Sequence, residues 1–343
     1  MGKLVVQIPR AACEIWQGVP RESKTMPLTN YPRGVTSFGV PVFGSLGIGN
    51  VYFISRTASA AQAALFSKRY VNTKFDDGTK MLWPDAGDGA QMQAAITASQ
   101  GGFNNYFIVA PGNYNLTAAI TLAGKSNSHL IACNQGDYGV GALGSSALTQ
   151  TGSVVGVIME AYGELTGFQI INKNGYAAVS VPNNIWRPTV HHNYFHMVGG
   201  SDINLIDASG AAACVSGSIH HNKFSTWVGG VLNSAIYVGT GTAVSVSYNE
   251  IVALTTAMVL DYGIFNNSVG GMTNDNYVSE GGGNGLATYG GTITVAIQTH
   301  ASGTAINNRT AVGTGQGLAG GTASHSMVDN RDGQAGGAAA IET

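Results

Sequence analysis

Residues 190–195 read VHHNYF and residues 219–224 read IHHNKF, so one hexapeptide returns 29 positions later with its His-His-Asn centre unchanged. Aligning the later sequence on that asparagine yields a column: Asn193, Asn222, Asn249, Asn276, Asn308 and Asn330, spaced by 29, 27, 27, 32 and 22 residues. A period in the twenties marks a solenoid, in which each coil buries its apolar face only by stacking on its neighbours. Val190, Ile219 and Val246 stand three places before the first three asparagines, and Phe195, Phe224, Ile251 and Val278 two places after the first four. Strand alternation turns these side chains inward. Asparagine is expected at the corner itself, because it tolerates left-handed backbone better than other non-glycine residues. Its amide can also bond the equivalent amide one rung up, about 4.8 Å away.

Composition agrees with stacked strands joined by tight turns. Of 343 residues 49 are Gly and only 10% are charged, against about a quarter in an ordinary globular chain, so neither a disordered polymer nor a typical helical enzyme fits. The net charge of −2 hides an asymmetry. Residues 1–80 hold 10 Lys and Arg against 4 acids, net +6, and the remainder holds 6 against 14, net −8. The positive charges are scattered, not clustered, which favours docking on an acidic protein surface over nucleic-acid binding. Cys13, Cys133 and Cys214 lie far apart and are odd in number, so neither a disulfide framework nor a zinc knuckle is expected. No apolar run approaches the roughly 18 residues that span a bilayer. The five-residue apolar stretch in MGKLVVQIPRAAC is too short for a signal peptide, and synthesis in a host cytoplasm is expected.

Three regions follow. Residues 1–48 carry five of the nine prolines and little periodicity, and read as an extended anchoring arm. Residues 49–84 form a linking region, with a strand signal at Gly49–Ile54 and an Ala-rich helix signal within 57–70. From 85 onward a capping box at Asp88-Gly-Ala-Gln91 opens a short helix with Met92, Ala95, Ile96 and Ser99 on one face. The run 106–122, YFIVAPGNYNLTAAITL, then reads as strand, Pro-Gly turn and strand.

A capped helix leading into IVAPGNYNL…ITL and a long Gly-rich series of short strands resembles the right-handed parallel β-helices of the pectate-lyase-like superfamily, which includes many phage tailspikes and virion appendages. The resemblance covers roughly residues 80 to 335 and lies in pattern, not in a catalytic motif. It implies an all-β solenoid of roughly ten rungs whose helix caps one end, and for virion appendages a homotrimer.

The doubled histidines have two readings. As metal ligands, His191, His192, His220 and His221 would lie on adjacent rungs, but neighbours along a strand point to opposite faces, and Ser247 and Tyr248 place no carboxylate on the next rung. A stacked, hydrogen-bonded corner is therefore preferred, with no metal and no other cofactor expected. A pair of stacked imidazoles that responds to pH is a third reading.

Members of the resembling family that cleave glycans use the outer face of the helix. Glu250 and Asp275, 25 residues apart and so about one rung, are the candidate carboxylate pair, with Tyr248 as a sugar-stacking face. A scatter of acids on one surface often yields such a pair by chance. Trp186, Tyr194, Trp227 and Tyr248 are candidate glycan contacts, although outward aromatics equally serve partner surfaces. The motifs of nucleophile elbows, phosphate loops and calcium-binding nonapeptides are absent.

The expected function is that of a non-enzymatic bacteriophage virion protein. Residues 1–48 anchor it to the capsid or another virion component, and a trimeric coil is exposed on the particle as a decoration or head fibre that contacts host glycans. The rival expectation is a tailspike-type polysaccharide depolymerase. A secreted adhesin is disfavoured by the missing signal peptide.

Overall fold

The computed structural model describes residues 49–57, 80–102, 104–133, 145–173, 175–197, 201–226, 230–253, 258–280, 291–312, 316–320, 326–328 and 331–332. The arm of 1–48, the Ala-rich segment of the linking region, Trp227, Asn330 and Cys13 lie outside the described residues. Within them the chain is nearly all strand, in three parallel sheets of eleven, nine and nine strands, with one helix. One coil visits each sheet in turn. Thr189–His191 lies in the first sheet, Tyr194–Met197 in the second and Ser201–Val215 in the third, and Ser218–His220 then returns to pair with Thr189–His191. This is a right-handed parallel β-helix.

The period-two pattern sets which side chains meet. Val190, Ile219 and Val246 are in direct register and buried, as are Phe195, Phe224, Ile251 and Val278. Parallel register places identical residues one above another, so the Phe195 and Phe224 rings stack with centroids 4.7 Å apart and planes within 7°. Such offset aromatic pairs add about 0.5–1.5 kcal/mol beyond the area they bury.

Asn193, Asn222, Asn249, Asn276 and Asn308 form an internal ladder, all at most 2% exposed. Asn193 Nδ2 donates to Asn222 Oδ1 (3.2 Å) and to the Leu165 carbonyl (2.9 Å), while the Asn193 backbone N–H donates to the same Asn222 Oδ1 (3.1 Å). The set repeats from Asn222 to Asn249, from Asn249 to Asn276 and from Asn276 to Asn308. Each amide thereby satisfies corner backbone groups that the strand ladders leave over.

The expectation that these asparagines hold the left-handed backbone is corrected. That conformation sits one place earlier, at His192 (φ 53°), His221 (53°), Tyr248 (54°), Asp275 (56°) and Asn307 (52°). The physical reason is a division of labour. The corner residue must send its side chain outward as the chain turns, whereas the next residue must send its amide inward to bond its neighbour. Left-handed backbone costs a non-glycine residue about 1–2 kcal/mol, which the ladder beside it offsets.

The N-terminal end is closed by side chains. Strands Gly49–Arg56 and Leu82–Asp85 extend the first sheet, but the second and third sheets begin only with Gly112–Leu116 and Ile120–Thr121. The helix Ala90–Ala98 covers the open core there with Met92, Ala95 and Ile96, and Ser99 is buried just beyond it. The Gln93 amide pairs with the edge strand as another strand would: Thr121 N–H donates to Oε1 (2.7 Å) and Nε2 donates to the Thr121 carbonyl (3.3 Å). Arg56 Nε likewise donates to the Asn113 carbonyl (3.0 Å). Backbone that would otherwise invite strand addition is occupied.

The expected capping box takes a different form. The N-cap is Gly89, in left-handed conformation, and Asp88 accepts only the Ala90 N–H (2.9 Å). The main acceptor is the fully buried Asp85 at the end of the preceding strand. Its Oδ1 takes the N–H groups of Gly87, Asp88 and Gly89, and its Oδ2 those of Gln91 and Met92. A carboxylate aimed at a helix N-terminus from the strand satisfies more orphan amides than one inside the turn reaches.

Candidate functional site

The doubled histidines form one cluster on the outside of a corner. His191 ends its strand and His192 is the left-handed corner residue, so the usual alternation stops between them. Both rings consequently turn to the same side. Their Nδ1 atoms face each other at 2.7 Å, and those of His220 and His221 do so at 2.9 Å on the next rung. Parallel register stacks the two pairs, His191 on His220 (4.8 Å, 8°) and His192 on His221 (4.8 Å, 2°), and Tyr248 continues the second column (4.8 Å, 18°). The expectation that adjacent histidines diverge to opposite faces is therefore corrected by the left-handed turn.

A carboxylate belongs to the cluster after all, from the preceding rung. Glu164 Oε1 lies 2.6 Å from His191 Nε2, and its Oε2 lies 2.7 Å from His129 Nδ1. These two hydrogen bonds, that of His129 first, hold the Glu164 carboxyl down at about 2. Glu164 is thus firmly anionic and takes Nε2–H from His191. That tautomer leaves a lone pair on His191 Nδ1, which also has the Thr166 hydroxyl at 3.3 Å. Burial, reinforced by the neighbouring imidazoles, pushes His220 down to about 4 and lowers His192 as well. Ring nitrogens of His191, His192 and His220 lie within 4.8 Å of one another.

Glu164 is the residue that sequence reasoning missed. It stands 27 positions before His191, one period of the solenoid. The repeat, however, was aligned on asparagine, and Phe168 occupies the asparagine column of that rung, its N–H donating to Asn193 Oδ1 (3.1 Å). Extending the period upstream of Asn193 despite the Phe would have found it.

The candidate catalytic acids have other partners. Glu250 faces outward in the second sheet and pairs with Lys223 on the adjacent rung (2.9 Å). Asp275 is a corner residue whose oxygens accept from Asn274 Nδ2 (2.9 Å) and Asn307 Nδ2 (2.6 Å), and those bonds, that of Asn274 first, lower its carboxyl from the ordinary value. Tyr248, half-exposed at the same corner, is hydrogen-bonded to Asp275, whose negative charge raises the phenol. Trp186 is exposed, while Tyr194 is partly buried with its hydroxyl 2.8 Å from Ser225 Oγ. Among the described residues Cys133 and Cys214 are free thiols, raised to about 11 by burial, and no helix is long and apolar enough to cross a membrane.

Compared with known proteins, the chain matches no family model, no curated protein and no solved structure.

Proposed function

We propose that this chain is a bacteriophage virion structural protein of the pectate-lyase-like, tailspike-related type. In this reading a homotrimeric β-helix stands on the particle surface as a capsid decoration or head fibre, and residues 1–48 anchor it to the capsid or another virion component. The observation that carries the reading is the stack of parallel coils, held among the described residues by an asparagine ladder that bonds each rung to the next, with the N-terminal end closed by the helix Ala90–Ala98, Gln93 and Arg56. Such a rod resists unwinding and projects side chains at fixed intervals, which suits an appendage. The outer face of the third sheet supports side-by-side association. Its long strands carry partly exposed Tyr237, Phe265 and Tyr262, with the Tyr237 and Phe265 rings stacked at 4.6 Å.

The corner formed by Tyr248 and Asp275, between the first and second sheets, favours a glycan-contacting role there, because an exposed ring beside a carboxylate offers a sugar both a stacking face and a hydrogen-bond acceptor. The second reading, a polysaccharide depolymerase using Glu250 and Asp275, draws on this corner. It has less support, since hydrolysis requires one carboxyl held protonated, whereas Asp275 is shifted the opposite way and Glu250 is ion-paired with Lys223.

The test replaces the gene in its own phage with one lacking residues 1–48. The expected result is a folded trimer in the lysate and none on purified particles. Truncated protein that still joins particles overturns the anchoring role. New reducing ends from host capsule or lipopolysaccharide incubated with the full chain would establish the depolymerase instead.

A further inference from the structure

We propose that His191, His192 and His220 bind a divalent transition-metal ion, with Glu164 as the positioning residue behind His191. This inference is independent of the virion reading. It rests on how the ring nitrogens are presented. Glu164, hydrogen-bonded to His191 Nε2 at 2.6 Å, holds the imidazole so that Nδ1 points into the cluster with its lone pair, the arrangement by which a carboxylate usually orients a metal-binding histidine. His129 clamps the other oxygen of Glu164 and fixes that carboxylate in turn. The left-handed corner then brings His192 Nδ1 to 2.7 Å from His191 Nδ1, where the proton that His192 donates without metal moves to its Nε2 when an ion takes its place, and the rung spacing supplies His220 within 4.8 Å.

Two imidazoles on a tetrahedral zinc ion have nitrogens about 3.3 Å apart, given Zn–N distances of about 2.0–2.1 Å. The His191–His192 separation of 2.7 Å is shorter than that and the others are at most 4.8 Å, and imidazole rotation about χ2 is soft enough to close the difference. His192 is exposed, so an ion has an open approach and a fourth position remains for water or another ligand. Thr166 and Gly167 occupy the equivalent positions one rung before, and Ser247 and Tyr248 those one rung beyond His220 and His221, so the nitrogen-rich patch spans just two rungs. A hydrogen-bonded histidine ladder without metal is the competing account.

Untagged full-length chain, stripped with chelator, is titrated with zinc chloride at pH 7.5 by calorimetry. One high-affinity ion per chain is expected, and with cupric ion in its place, electron paramagnetic resonance is expected to show nitrogen hyperfine splitting from coordinated imidazoles. His192→Asn keeps a residue that tolerates φ near 53° and is expected to weaken zinc binding at least about tenfold with an unchanged circular dichroism spectrum. Glu164→Gln is expected to weaken it about 10–100-fold, the usual effect of losing the supporting carboxylate. No saturable binding below millimolar zinc, or equal affinity in His192→Asn, overturns the proposal. If a variant loses its fold, the copper spectrum of the unaltered chain decides: a signal without imidazole nitrogen also overturns it.

Discussion

At the scale of single residues, the solenoid depends on two neighbouring positions with opposite duties. Asn222 has no room for compromise, since its Oδ1 accepts two donors from Asn193 while its Nδ2 reaches Asn249 Oδ1 and the Val190 carbonyl. Asn222→Ala would leave these buried partners unmet at about 1–3 kcal/mol each before relaxation, a loss read as a lower denaturant midpoint. Asn222→Asp should be worse, because a carboxylate oxygen would then face the Val190 carbonyl where an N–H now donates. One place earlier, as at Tyr248 before Asn249, the first demand is on the backbone, since the exposed ring adds only a stack on His221 and a surface hydrogen bond to Asp275. Tyr248→Asn should be nearly neutral, whereas Tyr248→Val should cost about 1–2 kcal/mol, because a β-branched side chain fits left-handed backbone poorly. Thermal melts of the two variants compare them directly.

At the scale of elements, the first sheet joins three strands through ionisable groups: His129 in Ser128–Ala132, Glu164 in Glu164–Thr166 and His191 in Thr189–His191, all in parallel register. Its neighbour His220 adds to their response to acid. A histidine ordinarily titrates at 6.5, and His220 in the folded chain does so at about 4. The unfolded chain therefore takes up the proton first, and the stability linked to His220 is complete above pH 6.5 and declines as pH falls toward 4. Glu164 has the same sign at lower pH. Its contribution is complete above 4.5, its ordinary value, and is lost as pH falls through about 2. In chelator-containing buffer, denaturant midpoints should fall from pH 7 to 4 and again below 4. A profile flat between pH 5 and 8 would refute the histidine part, and Glu164→Gln should flatten the acid limb.

At the scale of the whole molecule, a parallel coil has two open ends and three broad faces. Among the described residues the N-terminal end is closed by a helix, a glutamine amide and an arginine. The face most suited to a neighbouring copy is the third sheet, whose strands run to 15 and 13 residues where the other sheets have three or four in the same coils. If three copies pack there, Phe265→Lys should convert trimer to monomer by light scattering with its circular dichroism unchanged, because Phe265 is partly exposed beside buried Ile264. An unchanged mass removes this face as the contact.

The repeat of asparagine, with apolar residues three before and two after it, determined the solenoid, the buried columns and the rungs from Asn193 to Asn308. Those features follow from local periodicity, which stacking can only reinforce. Tertiary structure alone decided that Asp85, more than Asp88, caps the helix, that the corner's left-handed residue precedes the asparagine, and that Glu164 reaches His191. In each case the deciding partner lies across a turn or on another rung. Backbone handedness at one residue aims a side chain by a right angle or more, and linear spacing carries no record of that rotation.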